Sequence, residues 1–313
     1  GCAGGIGTDT ESITITVTPV NDAPIANGTV SVTATEDVTG SGTVLSTLIT
    51  AARYSDATDN QTGNGGNTTA TALSYVAIVG DSGYVAAQGS WQVSDGSGGW
   101  ITVPDNGLST ANALVVSASS EIRFVPAADF QGTPGSLLVR LADGSDLTIT
   151  TSTSAVDLQD LSSDGGIGTI HSWSTADVTI TTVVDPVNDR PTATGTATLA
   201  TIAEDLANPP GDTVTNLFSG LYGDAVDNQT AISGGNDTAT AFGGIAVVGN
   251  AATAAEGTWQ YNTGSGWVDI ATSVSDSTAV LLPTTASLRF VTAADYFGTP
   301  GDLTVRMADA AVF

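Results

Sequence analysis

The chain has 313 residues, of which six are basic and 32 acidic, giving a formal net charge of −26, and every basic residue is an arginine. A surface this acidic repels nucleic acid and anionic membranes and excludes them as partners. A hydrophobic content of 41% with five tryptophans excludes wholesale disorder, and no run approaches the ~20 apolar residues of a membrane-spanning helix.

In chain order, the first element is a Gly-rich approach to a strand over Ser12 to Thr18, closed by Pro19-Val20-Asn21-Asp22-Ala23-Pro24. With no initiator Met and no leader-like stretch, the chain reads as a window on a longer polypeptide, in which residues 1–21 are the last strand of a preceding domain. Cys2 is the single cysteine, so no internal disulfide is expected. The proline-bounded motif returns as Pro186-Val187-Asn188-Asp189-Arg190-Pro191, again after a run rich in Thr, Ile and Val. Two prolines keep each copy extended and deny it ladder donors, so it marks a joint between β-rich units. Asn and Asp between the prolines supply hard oxygen atoms of the kind calcium takes, or alternatively cap turns through their own backbone.

Between the joints the landmarks of one repeat recur in order. Thr35-Glu36-Asp37 returns as Ala203-Glu204-Asp205, and Asp59-Asn60-Gln61-Thr62 as Asp227-Asn228-Gln229-Thr230. Gly89-Ser90-Trp91-Gln92 returns as Gly257-Thr258-Trp259-Gln260, Trp100 as Trp267, and Arg123-Phe124-Val125 through Asp143 as Arg289-Phe290-Val291 through Asp309. The expected domains are 22–189 and 190–313, the second lacking its closing strand. Period-two alternation predicts strands at Thr29 to Thr33, Leu147 to Thr150, and Asp177 to Thr181. Thr43 to Arg53 and Val214 to Leu221 predict a strand with a brief helical turn. Asp95-Gly96, Asp105-Asn106-Gly107 and Asp143-Gly144 supply turns. Many short strands with turns between them predict an all-β fold of tandem β-sandwiches, and roughly 160 residues per unit suffice to bury a core without disulfides.

Trp91 and Trp100, with counterparts Trp259 and Trp267, predict a hairpin whose rings either pack inward or present a platform to sugars. Trp173 and His171 fall in an insertion of the first domain and are expected to be exposed. Arg123, Arg140, Arg289 and Arg306 are expected to pair with nearby acids. Asn27, Asn60, Asn67, Asn228 and Asn236 each open an Asn-x-Thr triplet. His171 has no second histidine to join it in a zinc site, and no acid, base and nucleophile set emerges, so no enzymatic activity is expected.

Phe124-Val125-Pro126-Ala127-Ala128-Asp129-Phe130-Gln131-Gly132, together with the closing strand and the Val-Asn-Asp-x-Pro joint, resembles the cadherin-like tandem repeats of giant bacterial surface adhesins. The Gly257 to Tyr261 segment fits a long variety of that repeat. The resemblance spans essentially the whole chain and implies Ig/cadherin-like sandwiches joined end to end on an extracellular bacterial cell surface. It also sorts the acids. Glu36 and Asp129 would lie at the bottom of the first domain, Asp185, Asn188 and Asp189 in the link, and Asp224 and Asp227 at the top of the second domain, together able to hold Ca2+. A second, incomplete set would be Asn21, Asp22, Asp56 and Asp59, and Glu204 and Asp295 would await a following domain. The spacing departs from that of animal cadherins: the proline comes two residues after Asp, and Thr18 stands where the second copy has Asp185. The implied function is a calcium-stiffened spacer supporting cell adhesion or biofilm formation. Its partners would be neighbouring repeats of the same chain, with surface glycans or proteins met through other domains. Two further readings stand beside it: a self-assembling extracellular filament or sheath formed from copies of the chain, and a carbohydrate-binding module.

Overall fold

A computed structural model describes residues 11–145, 149–167 and 170–310. Nearly all of the regular structure is β. The first set of strands comprises β1 (Ile25–Ala26), β2 (Thr29–Thr35), β3 (Thr43–Val44), β4 (Tyr54–Ser55), β5 (Tyr75–Asp81), β6 (Gly89–Ser94), β7 (Trp100–Thr102), β8 (Leu114–Ser117), β9 (Glu121–Pro126), β10 (Leu137–Ala142) and β11 (Val178–Asp185). They form a five-stranded sheet in the order β2-β11-β10-β5-β8 and a four-stranded sheet in the order β3-β9-β6-β7, with β1 pairing β4. The two larger sheets share one core. Val32, Val76, Ile78, Leu137, Val139 and Ile180 face Leu45, Trp91, Val93, Ile122 and Phe124, all of them buried.

A second set follows: β12 (Thr192–Ala193), β13 (Asp212–Thr213), β14 (Tyr222–Gly223), β15 (Phe242–Asn250), β16 (Gly257–Asn262), β17 (Trp267–Asp269), β18 (Val280–Pro283), β19 (Ser287–Thr292) and β20 (Leu303–Asp309). Its sheets are β13-β19-β16-β17 and β18-β15-β20, with β12 pairing β14. The three-stranded sheet of this set thus repeats β8-β5-β10 of the first.

Period-two alternation reads correctly where a strand buries one face. β2 and β11 run parallel in register, Thr29 opposite Thr179 through Thr35 opposite Asp185, with alternate residues of β11 turned inward. The two segments expected to combine strand and helical turn do so: β3 leads into α1 (Leu45–Leu48) and β13 into α2 (Val214–Phe218).

Three expectations change. Ser12 to Thr18 lies in no strand, and Ile13, Ile15 and Val17 are 97, 83 and 83% exposed. Of the alternation at 147–150, Ile149 and Thr150 lie outside regular structure, while Leu147 and Thr148 lie outside the described residues, as do Cys2 and Gly5 to Thr8. Trp173 is fully buried rather than exposed, with its indole N–H donating to the carbonyl of Asp164 at 2.6 Å. The insertion folds onto the outer face of the five-stranded sheet, where Ala77, Val115 and Ala142 form a second apolar layer with Ile149, Leu161 and Trp173. A sheet apolar on both faces needs such a cover.

Candidate cation-binding junction

Four loops meet between the two sets of strands. Asp37 and Asp129 both adopt left-handed backbone (φ 57° and 60°), a conformation Asp tolerates better than most side chains. Asp129 N–H donates to Asp37 Oδ1 at 3.1 Å, closing the loop after β2 on the corner after β9. The linker after β11 docks on the same place: Glu36 N–H donates to the Asp185 carbonyl at 3.0 Å, and Val187 N–H to Glu36 Oε2 at 2.7 Å. From the second set, Asp227 Oδ1 accepts from Asp189 N–H at 3.1 Å, while Asp224 Oδ2 accepts from Thr240 N–H at 2.6 Å.

The sets also touch directly. Gln131, fully buried, donates from Nε2 to the Asp227 carbonyl (2.8 Å) and to Thr238 Oγ1 (2.5 Å), and Thr133 N–H donates to the Gly234 carbonyl at 2.8 Å. Gly132 pairs with Gly235 across this seam. At Gly132 (φ +125°) a Cβ would come 2.2 Å from the Gly234 carbonyl oxygen, so only glycine permits the approach.

In Glu36, Asp224 and Asp227 one carboxylate oxygen is satisfied in this way and the other is left without a partner. Glu36 Oε1, Gln131 Oε1, Asp189 Oδ2, Asp224 Oδ1 and Asp227 Oδ2 are buried with no hydrogen-bond partner. Buried polar groups are ordinarily paired, and leaving one unmet costs roughly 1–3 kcal/mol, more if charged. Oxygens of Asp37, Asp129 and Asp189 lie within 4.8 Å of one another. Burial pushes the Glu36 carboxyl above its ordinary range; repulsion from Asp189, Asp37 and Asp227 adds to this, against the hydrogen bond from Val187. Burial likewise raises Asp189, reinforced by Asp129 and Asp227, and raises Asp227, reinforced by Asp224, Asp309 and Asp129. No arginine relieves them: the ion pairs among the described residues are Arg140–Asp177 and Arg306–Asp276, both elsewhere.

The structure therefore brings Glu36, Asp129, Asp189, Asp224 and Asp227 to one junction. Asp185 is exposed there and contributes its backbone carbonyl, whereas Asn188 turns its amide N–H toward Asp309 Oδ2 at 3.2 Å. Asp37 and Gln131 belong to the junction although sequence reasoning did not single them out as site residues. The signal for Asp37 was its recurrence beside Glu204 as Asp205. None existed for Gln131, whose counterpart is Phe297, 83% exposed.

The upper half of the junction is duplicated at the other end of the first set. Asp22 N–H donates to Asp59 Oδ1 and Oδ2 (3.1 and 3.2 Å), Thr71 N–H to Asp56 Oδ2 (2.6 Å), and Asn21 Nδ2 to Asp143 Oδ2 (3.2 Å). Asp56 Oδ1 is orphaned, and burial raises both Asp56 and Asp59. The lower half recurs in the second set, where Asp295 N–H donates to Asp205 Oδ1 at 2.9 Å and both residues adopt positive φ.

The tryptophans have other work. Trp91 is fully buried edge-to-face against Phe124, its indole N–H donating to the Gly135 carbonyl, and Trp259 repeats this with Phe290 and Gly301. The guanidinium of Arg123 stacks 3.7 Å over Trp100, and that of Arg289 4.1 Å over Trp267. Arg123 binds the Gln92 amide oxygen and the Gly40 carbonyl rather than an acid, and Arg289 binds Gln260 and Asn208; the acid pairing expected of all four holds for Arg140 and Arg306. Asn60 and Asn228 spend their side-chain oxygens on Thr62 and Thr230 of their own triplets, as Asx-turns. His171 is exposed, as expected.

No protein-family model and no characterised protein matches the chain.

Proposed function

We propose that the chain is a structural spacer: tandem Ig/cadherin-like β-sandwiches, joined end to end, whose junction is braced by Ca2+. The observation that carries this is the set of buried, partnerless oxygens of Glu36, Gln131, Asp189, Asp224 and Asp227 on both sides of one seam, beside the close group of Asp37, Asp129 and Asp189, with none of these acids in an ion pair. A hard divalent ion taking six to eight oxygens fits such a donor set. Glu36, Asp37, Asp129, Asp189, Asp224 and Asp227 would hold it, turning mutual repulsion into attraction to a common centre and stiffening the joint. The repeated sequence and its resemblance to adhesin repeats support placing the spacer in a large secreted bacterial surface protein, with adhesion carried by other modules.

Two measurements test the proposal. Isothermal titration with Ca2+ should saturate, and small-angle scattering should give a longer maximum dimension in calcium than in EDTA. Identical scattering profiles and no binding heat would overturn it.

A further inference from the structure

The two sets of strands meet through neutral groups as well as through acids. The loop at 228–237 of the second set closes on itself: Gln229 N–H donates to the Asn236 carbonyl and Thr238 N–H to the Asp227 carbonyl, each at 2.8 Å. The corner that receives it is equally fixed. Gly132 and Val184 exchange backbone hydrogen bonds (3.2 and 2.7 Å), and Gly135 N–H donates to Gln88 Oε1 at 3.2 Å. Across the seam, buried Gln88 donates from Nε2 to the Ser233 carbonyl at 2.7 Å, and Asn236 N–H donates to the Gln131 carbonyl at 3.2 Å. Ile232, from the same loop, packs against the core of the first set. None of these contacts uses a carboxylate, so repulsion among the acids leaves them intact. Two surfaces shaped before they meet lose little freedom on docking.

Each half of the contact is peculiar to its own repeat. Gln88 precedes Gly89-Ser90-Trp91, whereas Glu256 precedes Gly257-Thr258-Trp259. Gln131 follows Asp129-Phe130, whereas Phe297 follows Asp295-Tyr296. Glu256 keeps the local role of Gln88: Thr253 N–H donates to its Oε2 at 2.6 Å, as Val85 N–H donates to Gln88 Oε1 at 3.0 Å. The carboxylate has no N–H to offer a neighbour's carbonyl, and the Phe297 ring has none either. The loops differ too. Between Thr230 and Gly234 stand Ala231-Ile232-Ser233, but between Thr62 and Gly65 only Gly63-Asn64, with no apolar side chain.

We propose that the loop at 228–237 is a latch specific to this joint. It holds Gln88, Gln131 and the core edge of the first set with or without a bound cation. Acids freed of a cation then tilt the sets about this contact but do not part them. The latch also fixes repeat order, because a repeat presenting Glu and Phe in place of the two glutamines leaves the loop's carbonyls unmet. It presupposes tandem sandwiches, as the proposed function does, but not calcium.

Double electron–electron resonance on the whole chain in EDTA tests the latch, with Cys2→Ser and spin labels on Ser97→Cys and Ser265→Cys. Both serines are exposed, in Gly-rich turns of corresponding hairpins. The latched chain should give one narrow distance distribution. Ile232→Asn, which installs the residue type of the first loop, and Gln88→Glu, which installs that of the second set, should each lose the narrow peak. In both variants, peptides spanning 131–136 and 231–238 should lose about tenfold in hydrogen-exchange protection while β5 and β15 keep theirs, which separates an opened seam from an unfolded unit. A labelled chain that is broad in EDTA and narrow in calcium would overturn the latch and leave the cation brace standing. Variants as narrow and as protected as the parent would overturn it as well. A narrow parent distribution in EDTA, lost in the variants, with no heat of calcium binding would uphold the latch and remove the brace.

Discussion

Glu36→Gln separates the two roles a buried carboxylate can have at the junction. Without metal, Glu36 is a fully buried acid with one satisfied oxygen, repelled by Asp189, Asp37 and Asp227. Glutamine keeps an oxygen for Val187 N–H and replaces the orphaned Oε1 with a donor facing those acids. Removing an unmet buried charge should return about 1–3 kcal/mol. At roughly 2–4 °C per kcal/mol for a unit of this size, the melting temperature in EDTA should rise by several degrees. In calcium a second effect opposes this gain. At a hundredfold excess over Kd the wild type gains about 2.7 kcal/mol from binding. Loss of one charged ligand, if it weakens binding tenfold, removes about 1.4 kcal/mol, so the calcium-induced shift should be about half that of wild type. Differential scanning calorimetry in EDTA and in millimolar calcium reads both effects. A variant that melts lower than wild type in EDTA, or that keeps the full calcium shift, would refute the assignment of Glu36 as a ligand held against repulsion.

The junction should also invert its pH response. Glu36, Asp56, Asp59, Asp189 and Asp227 all have raised pKa values when folded, so the unfolded chain releases these protons first. Their destabilising contribution is absent below the ordinary carboxylate range of about 4, grows as pH rises through the raised folded values, and is complete above them. Acidifying from neutrality towards about pH 5 should therefore raise the EDTA melting temperature and lower the calcium one; parallel trends would contradict the model of a repulsive, metal-relieved cluster. Gly132→Ala forces a Cβ against the Gly234 carbonyl and should loosen the seam, shortening the particle in scattering and weakening calcium binding while each core stays folded by near-UV circular dichroism. Trp91→Ala should cost about 3–5 kcal/mol as a core deletion, whereas Trp100→Ala should cost about 1–2 kcal/mol through loss of the Arg123 stack. Equal costs in chemical denaturation would show that the two rings are not divided between core and surface.

Much of this molecule is written in local pattern. Alternation marks β2 and β11 because each buries one face, and the proline-bounded joint marks where pairing must stop, since proline offers no ladder donor. Recurrence marks Glu36, Asp129, Asp189 and Asp227 as acids of repeated loop motifs. What pattern could not convey is which loops share a space. Trp173 reads as exposed in sequence, yet Ala77 and Val115 give the sheet a second apolar face for it to cover, a fact visible only once β5 and β8 lie side by side. Gln131 is an unremarkable amide until the corner after β9 is set against Asp227 and Thr238 of the neighbouring unit. Ile13, Ile15 and Val17 spell a strand, but a strand is completed by partners remote in sequence, and among the described residues none pairs with them. Local sequence therefore determined the strands, turns and acidic loop ends through backbone sterics and side-chain period; only the tertiary structure decided which oxygens are left unmet and which sheet face is covered, because both depend on long-range neighbours that no single segment encodes.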